Sequence, residues 1–228
     1  MEHILDNPIY NALNTGNKQL ASGSDTAKFF LPDVAPFAGL KENTPENFHE
    51  LREISDREAS FVLFTPAHVE VPDIWKINGQ MDLLQMVYEQ EAPSLSSNQA
   101  FVPLGREHVG QMLELTALTK PGPFLSRTIA FGNYMGIFEG EELIAMAGHR
   151  LQPLPYVEIS AVCTHPDHLR KGHASTLLTA QIRLIQSAGK IPFLHVRADN
   201  YSAIRAYERL GFTTRSEMFV YAIGAEVK

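Results

Sequence analysis

Between Glu158 and Ala174 an apolar run passes through His, Pro, Asp, Arg, Lys and Gly into a segment able to form a helix. A strand-to-helix corner of this kind suits an anion. The first amides of a helix have no intrahelical partner, and the macrodipole adds about half a positive charge there, so a diphosphate can be held largely by main chain. Gly172 lets the backbone approach a ligand, Ala174 keeps the next amide accessible, and Arg170 and Lys171 add charge at the rim. The same residues also make an ordinary tight turn. Two other phosphate-binding patterns are missing: there is no Gly-x-x-x-x-Gly-Lys-Ser/Thr and no Gly-x-Gly-x-x-Gly after a strand, which removes the main support for nucleotide hydrolysis and for dinucleotide binding. His165, His168 and His173 fall close together, with His149 and His195 on neighbouring strands, but they lack the i, i+4 spacing of a helical metal site, and no metal is expected. His195 reads as a core histidine or as an alternative base. Cys163 reads as a small strand residue.

The elements that must carry this corner follow from periodicity and punctuation. Tyr134 to Phe138 and Leu143 to Ala147 form a hairpin through Glu139-Gly140-Glu141. Val157 to Thr164 is a strand, Ala174 to Ser187 a helix, Pro192 to Arg197 a strand, Asn200 to Leu210 a helix, and Met218 to Ala222 a last strand. A parallel pair flanking the long helix is the natural consequence. Upstream, helices are expected from Pro8 to Leu13 and after Thr44-Pro45, a strand at Phe61 to Phe64, a helix from Met81 to Tyr88, a strand near Phe101 to Leu104, and a helix from Arg106 to Leu118. Pro121-Gly122-Pro123 reads as a loop. The Ser-rich stretch from Glu91 to Asn98 is the best linker, which divides the chain into an N-terminal α/β extension over 1–95 and a second domain over 96–228.

Composition narrows the function. The 228 residues carry 19 Lys and Arg against 26 Asp and Glu, a formal charge of −7, which disfavours a nucleic-acid partner. One cysteine cannot form an internal disulfide, and the N-terminus lacks the basic start and apolar core of a signal peptide, so the chain reads as cytoplasmic. No apolar run reaches the roughly 20 residues of a membrane span.

The corner resembles the coenzyme loop of the GNAT superfamily of acyl-CoA-dependent N-acetyltransferases, Gln/Arg-x-x-Gly-x-Gly/Ala, here Leu169-Arg170-Lys171-Gly172-His173-Ala174 with Leu at the first position. The segment from Asn200 through Tyr207 to Gly211-Phe212 resembles the family's Asn…Ala…Tyr-x-x-x-Gly-Phe helix. The resemblance runs from Tyr134 to Ala222 and implies an α+β fold. In it, a mixed, mostly antiparallel twisted sheet with a central splayed parallel strand pair is flanked by helices, and residues 1–95 are an extension or a reduced half of the same fold. It implies acetyl-CoA as cosubstrate, with the pantetheine arm on a bulged strand at Val162, Cys163 and Thr164, and further contacts at Asn200 and Ala203.

Acetyl transfer to an amine needs placement, a donor for the developing oxyanion, and a proton for the departing thiolate. Tyr207 matches the family's general acid, though Ala203, Ile204, Tyr207 and Leu210 also follow a helical apolar face. Glu158 lies 172 − 158 = 14 positions before Gly172, a spacing that resembles the histone-acetylating branch, where a Glu acts as general base. A strand-end Glu paired with Arg150 fits it too. The resemblance thus implies direct transfer to a primary amine of a small molecule or peptide. A homodimer is compatible with it, and a non-catalytic acyl-CoA-binding module is the alternative.

Overall fold

Prolines at the first helical position open both early helices, α1 (Pro8–Asn14) and α2 (Pro45–Ile54), the second capped by the Thr44 hydroxyl on the Asn47 amide. The computed structural model describes residues 3–94 and 100–225, so positions 95–98 of the expected linker lie outside the described residues. Between the two helices β1 (Ala21–Gly23), β2 (Ala27–Phe30) and β3 (Ala38–Leu40) form a small antiparallel sheet. The larger sheet is built from β4 (Ser60–Thr65), β5 (Trp75–Val87), β6 (Val102–Pro103), β7 (Met135–Glu139), β8 (Glu142–His149), β9 (Tyr156–Thr164), β10 (Ile191–Arg197) and β11 (Thr213–Ala225). Its spatial order is β4-β11-β5-β10-β9-β8-β7-β6, antiparallel except where β10 runs parallel to β9. Helices α3 (Val109–Thr119), α4 (His173–Ser187) and α5 (Tyr201–Leu210) flank it.

The helix expected from Met81 to Tyr88 is instead the end of β5 and the residue after it, paired with β10 on one side and β11 on the other. Leu83, Gln85, Met86, Val87 and Tyr88 are all buried. A central strand covered on both faces has no polar side to display, so its sequence loses the period of two that marks a half-exposed strand.

Strands from both sides of residue 95 share the large sheet, and Leu5, Phe30, Phe37 and Phe64 lie in the same apolar cluster as Met146, Cys163 and Phe193. Strands β4 and β5 are thus part of the large sheet, and Leu5, Phe30, Phe37 and Phe64 part of its core.

Two local features prepare the site. The parallel register joins Ile191–Phe193 to Tyr156–Glu158 and stops there; beyond it β9 pairs only with β8, and β10 only with β5, so the two strands part like a wedge. Just past that point β9 bulges, its register with β8 slipping between Met146↔Cys163 and Gly148↔Ser160, with Ala161 at φ 52°. A bulge and an opened edge leave main-chain groups unpaired.

Candidate active site

The corner after β9 is a groove of about 740 Å³. Its walls include Val162, Cys163 and Thr164 on one side and Asn200, Ala203 and Tyr207 of α5 on the other, with Leu169, Arg170, Gly172, His173 and Ala174 at its mouth. Gly172 caps α4 at φ 86°, and a Cβ there would meet nothing within 4 Å, so the backbone faces open space. The amides of Ala174 and Ser175 have no protein acceptor among the described residues. The expected anion corner thus has its free donors. Lys171 is the exception among the expected coenzyme residues, because its ammonium turns to His168 Nδ1 (3.3 Å) and does not line the groove. Sequence reasoning missed Ser202, Ala206 and Arg209, which line the groove within two positions of Ala203 or Tyr207 on α5.

Asn200 Oδ1 caps α5 by accepting from the Ala203 amide (3.1 Å), and Gly211 at φ 107° ends the helix. Those two caps fix Tyr207. Its ring packs edge-on against Phe212, 6.0 Å between centroids; the residue lines the groove, and its hydroxyl has no protein partner among the described residues. The ring packs against the core, as its helical spacing predicts, and the residue also lines the groove. Burial pushes the phenol up to about 12.

Glu158 is not placed to be a base. Its side chain is wholly buried, and both oxygens are already occupied. Oε1 accepts from Arg150 Nη2 (2.5 Å) and His195 Nδ1 (2.7 Å), Oε2 from Arg150 Nε (2.8 Å) and the Leu151 amide (3.2 Å). Burial alone pushes the carboxyl up, but Arg150 first and then His195 outweigh it and hold the group well below the usual carboxylate range. The general-base role expected from its spacing to Gly172 is therefore corrected: the residue is the anion of a buried ion pair.

His195 is excluded as the alternative base on the same grounds. Gln85 Oε1 accepts from Arg215 Nε (2.7 Å), so the Gln85 amide nitrogen faces Leu5 O (2.9 Å) and His195 Nε2 (3.1 Å). His195 Nε2 must then accept, which places the ring proton on Nδ1 and aims it at Glu158. Arg215 continues the chain of contacts to Asp6. Five segments distant in sequence meet in this network, and its members on Leu5 and Asp6 could not be located from spacing.

On the far side of the bulge lies a second, nearly closed cleft, with free volume of about 10 Å³. It is walled by Ser160 and Ala161 of β9, Tyr134, Arg150, Thr128 and the loop from Pro121 to Phe124. Gly148 allows this packing, since a Cβ there would come within 2.3 Å of the Tyr134 ring. The loop was legible as a loop; its position over the bulge was not. None of the residues lining this cleft is a carboxylate or an imidazole.

Burial keeps two further candidates unreactive. Cys163 is buried in the groove wall, and burial pushes its thiol up to about 11, away from the reactive thiolate. His149 is buried against Asn133, and desolvation lowers it to about 4, so it stays neutral. Among the described residues no group of three or more His, Cys, Asp or Glu could hold a metal ion, and no helix is long and apolar enough to cross a membrane.

A mixed sheet splayed beside a bulge, with free amides at the next helix start, defines an acyl-carrier-dependent transferase. Comparison with known proteins agrees. Residues 134–220 match the sequence model of the FR47-like protein family. A protein from Novosphingobium aromaticivorans assigned to the GNAT acetyltransferases is 32% identical, superposes with a TM-score of 0.91, and covers 99% of this chain and 100% of its own. The chain belongs to the GNAT family of acetyltransferases. A GCN5-related N-acetyltransferase from Kribbella flavida, 17% identical, has the same fold with a TM-score of 0.65 over 96% of this chain and 95% of its own. A mycothiol acetyltransferase from Corynebacterium aurimucosum is 38% identical over 66 residues, a match that spans 28% of this chain and only 22% of that protein.

Proposed function

We propose that the protein transfers an acetyl group from acetyl-CoA to a primary amine by direct attack in a ternary complex. The observation that carries this reading is the groove that runs from the α4 amides past Val162–Thr164 to Tyr207; the second cleft is lined by the preceding β9 residues, Ser160 and Ala161 at the bulge. The coenzyme, when bound, supplies the acetyl group as a thioester. The amides of Ala174 and Ser175, with Gly172 and Arg170 beside them, hold its diphosphate. Unpaired main chain at Val162–Thr164 takes the pantetheine arm as a further strand. The acceptor enters from the cleft under Pro121–Phe124, and this loop must lift to admit it, because the free volume there, about 10 Å³, holds no more than a water.

Tyr207 directs its hydroxyl at the departing sulfur. With the phenol near about 12 and a thiol near ~8.5, complete proton transfer is uphill, so the residue works chiefly as a hydrogen-bond donor while charge builds on sulfur. With Glu158 and His195 occupied, no side chain on the acceptor side takes the amine proton, and the amine reacts in its neutral form or gives its proton to water. Placement by the two clefts supplies most of the acceleration.

The test is release of free coenzyme A from acetyl-CoA over a panel of primary amines, small and peptidic. Amine-dependent release supports the reading. Coenzyme binding by calorimetry with no release for any amine would instead establish a non-catalytic acyl-CoA-binding module, the reading that the near-closure of the second cleft favours.

A further inference from the structure

The Arg150 guanidinium offers five N–H donors, of which one on Nε and one on Nη2 donate to Glu158. Its Nη1 makes no hydrogen bond with the protein among the described residues and points into the cleft beside the bulge, where a Cβ on Gly122 would find it at 3.9 Å and nothing nearer. The group cannot swing away. It is pinned by its two bonds to Glu158 and packed over the rings of Phe37 (5.1 Å to the centroid) and Phe64 (5.9 Å). A fixed donor lining the cleft beside the Ala161 bulge is suited to recognise an oxygen of whatever enters there.

We infer that Arg150 Nη1 selects acceptors whose amine-bearing carbon also carries a neutral carbonyl oxygen, the α-amino amide class. This rests on the acetyl-transfer reading and names its acceptor. The charge balance decides between a carbonyl and a carboxylate. Glu158 already neutralises the guanidinium inside a buried site, so a second carboxylate would be an uncompensated anion, whereas an amide oxygen takes the hydrogen bond and adds no charge. An alkylamine of the same shape would leave Nη1 without an acceptor once the cleft closed over it, and a buried donor left unpaired is costly.

The experiment compares kcat/KM for alaninamide, alanine and 3-methyl-2-butylamine in the unmodified enzyme, each expressed on its neutral-amine concentration so that differing amine pKa values do not enter. The amide should lead both others by roughly tenfold to a hundredfold, the worth of one hydrogen bond to a charged group. Calorimetric binding of the corresponding N-acetyl products, which needs no turnover, should rank amide above alkyl in the same way. An alanyl tripeptide tells the two sources of this chemistry apart: faster than alaninamide, it points to a peptide N-terminus, and no faster, to a small amino amide. Arg150→Lys, if it folds, should bring the amide-to-alkylamine ratio close to one. Transfer to all three amines at similar rates, or a preference for alanine, would overturn the inference and leave the acetyl-transfer reading standing. No release of coenzyme A with any amine would refute that reading and the inference with it.

Discussion

Replacing Glu158 by Gln separates a catalytic carboxylate from a structural one. The carboxylate takes hydrogen bonds from four donors: Arg150 Nη2 and Nε, His195 Nδ1 and the Leu151 amide. Glutamine has nearly the same shape but only one oxygen, so its NH2 must confront the pair of donors on one side. The surroundings cannot adjust. His195 cannot exchange tautomers to accept from the new amide, because its Nε2 would then face the Gln85 amide nitrogen as a second donor, and Gln85 is held in place by Arg215 and the Leu5 carbonyl. The variant therefore leaves Arg150 as a buried, uncompensated cation, a change that costs about 3–5 kcal/mol. At about 2–4 °C per kcal/mol for a domain of this size, the melting temperature should fall by roughly 6–20 °C. Activity should tell a different story. Glu158 is held down to about 2, so the stability that the pair gives is present above the unfolded carboxylate value near ~4.3 and is lost only as pH falls through the folded value. It cannot produce a rate change between about pH 5 and 9. The logarithm of kcat/KM should rise with the neutral fraction of the acceptor amine in both proteins, and the variant, assayed well below its melting point, should keep the shape of that profile. The assays are a thermal melt and the pH dependence of coenzyme A release. A variant that melts like the parent but loses an ascending limb between pH 5 and 8 would refute the reasoning and restore Glu158 as the base.

Three further outcomes follow from the same geometry. Tyr207→Phe should lower kcat by about 10²- to 10³-fold, with coenzyme affinity by calorimetry unchanged, because the ring keeps its place on Phe212; equal turnover at saturation would remove the hydroxyl from the reaction. Gly172→Val places a β-branched side chain at φ 86° in the mouth of the groove, and should weaken acetyl-CoA binding by roughly tenfold or more while the fold, read by circular dichroism, persists; unchanged affinity would mean that the corner does not hold the coenzyme. Cys163→Ala should retain kcat within about threefold, since a thiol raised by burial to about 11 is a poor nucleophile; loss of turnover with trapping of an acetyl-thioester on the parent enzyme would favour a covalent route.

What could be read from the sequence was local in the chain. The anion corner needs a strand, a turn with Gly172 and a helix start, all within the span from Tyr156 to Ser187, and α5 announces itself through Asn200 at one end and Gly211 at the other. What could not be read was assembled from distant segments. β5 has the composition of a helix from Met81 to Tyr88 because burial on both faces removes the alternation that identifies strands, and only its partners β10 and β11 make it one. Glu158 shows the same limit in the site itself. Its spacing to Gly172 is a property of β9 and the following loop, but its chemistry is set by Arg150, His195 and Leu151, and, through Gln85 and Arg215, by the N-terminal turn at Leu5 and Asp6.

That dependence gives the first part of the chain a physical task in the site. Phe37 and Phe64 lie under the Arg150 guanidinium, the backbone of Leu5 orients Gln85, and Gln85 fixes the tautomer of His195. Each contact removes a freedom that Arg150 would otherwise have. A flexible arginine at the cleft would bind many oxygens weakly, whereas one held on its two aromatic neighbours and by Glu158 presents Nη1 in a single direction, so the entropy cost of ordering it is met on folding rather than on binding. In the proposed reaction, selectivity at the acceptor cleft is built in part by Leu5, Phe37, Phe64 and Gln85, which need not touch the acceptor. Truncating the ring by Phe37→Leu should for this reason erode the preference between amide and alkylamine acceptors more than it erodes the affinity for acetyl-CoA. The two are read by the kcat/KM ratio and by calorimetry, and equal losses in both would show the N-terminal segment to be support for the fold alone.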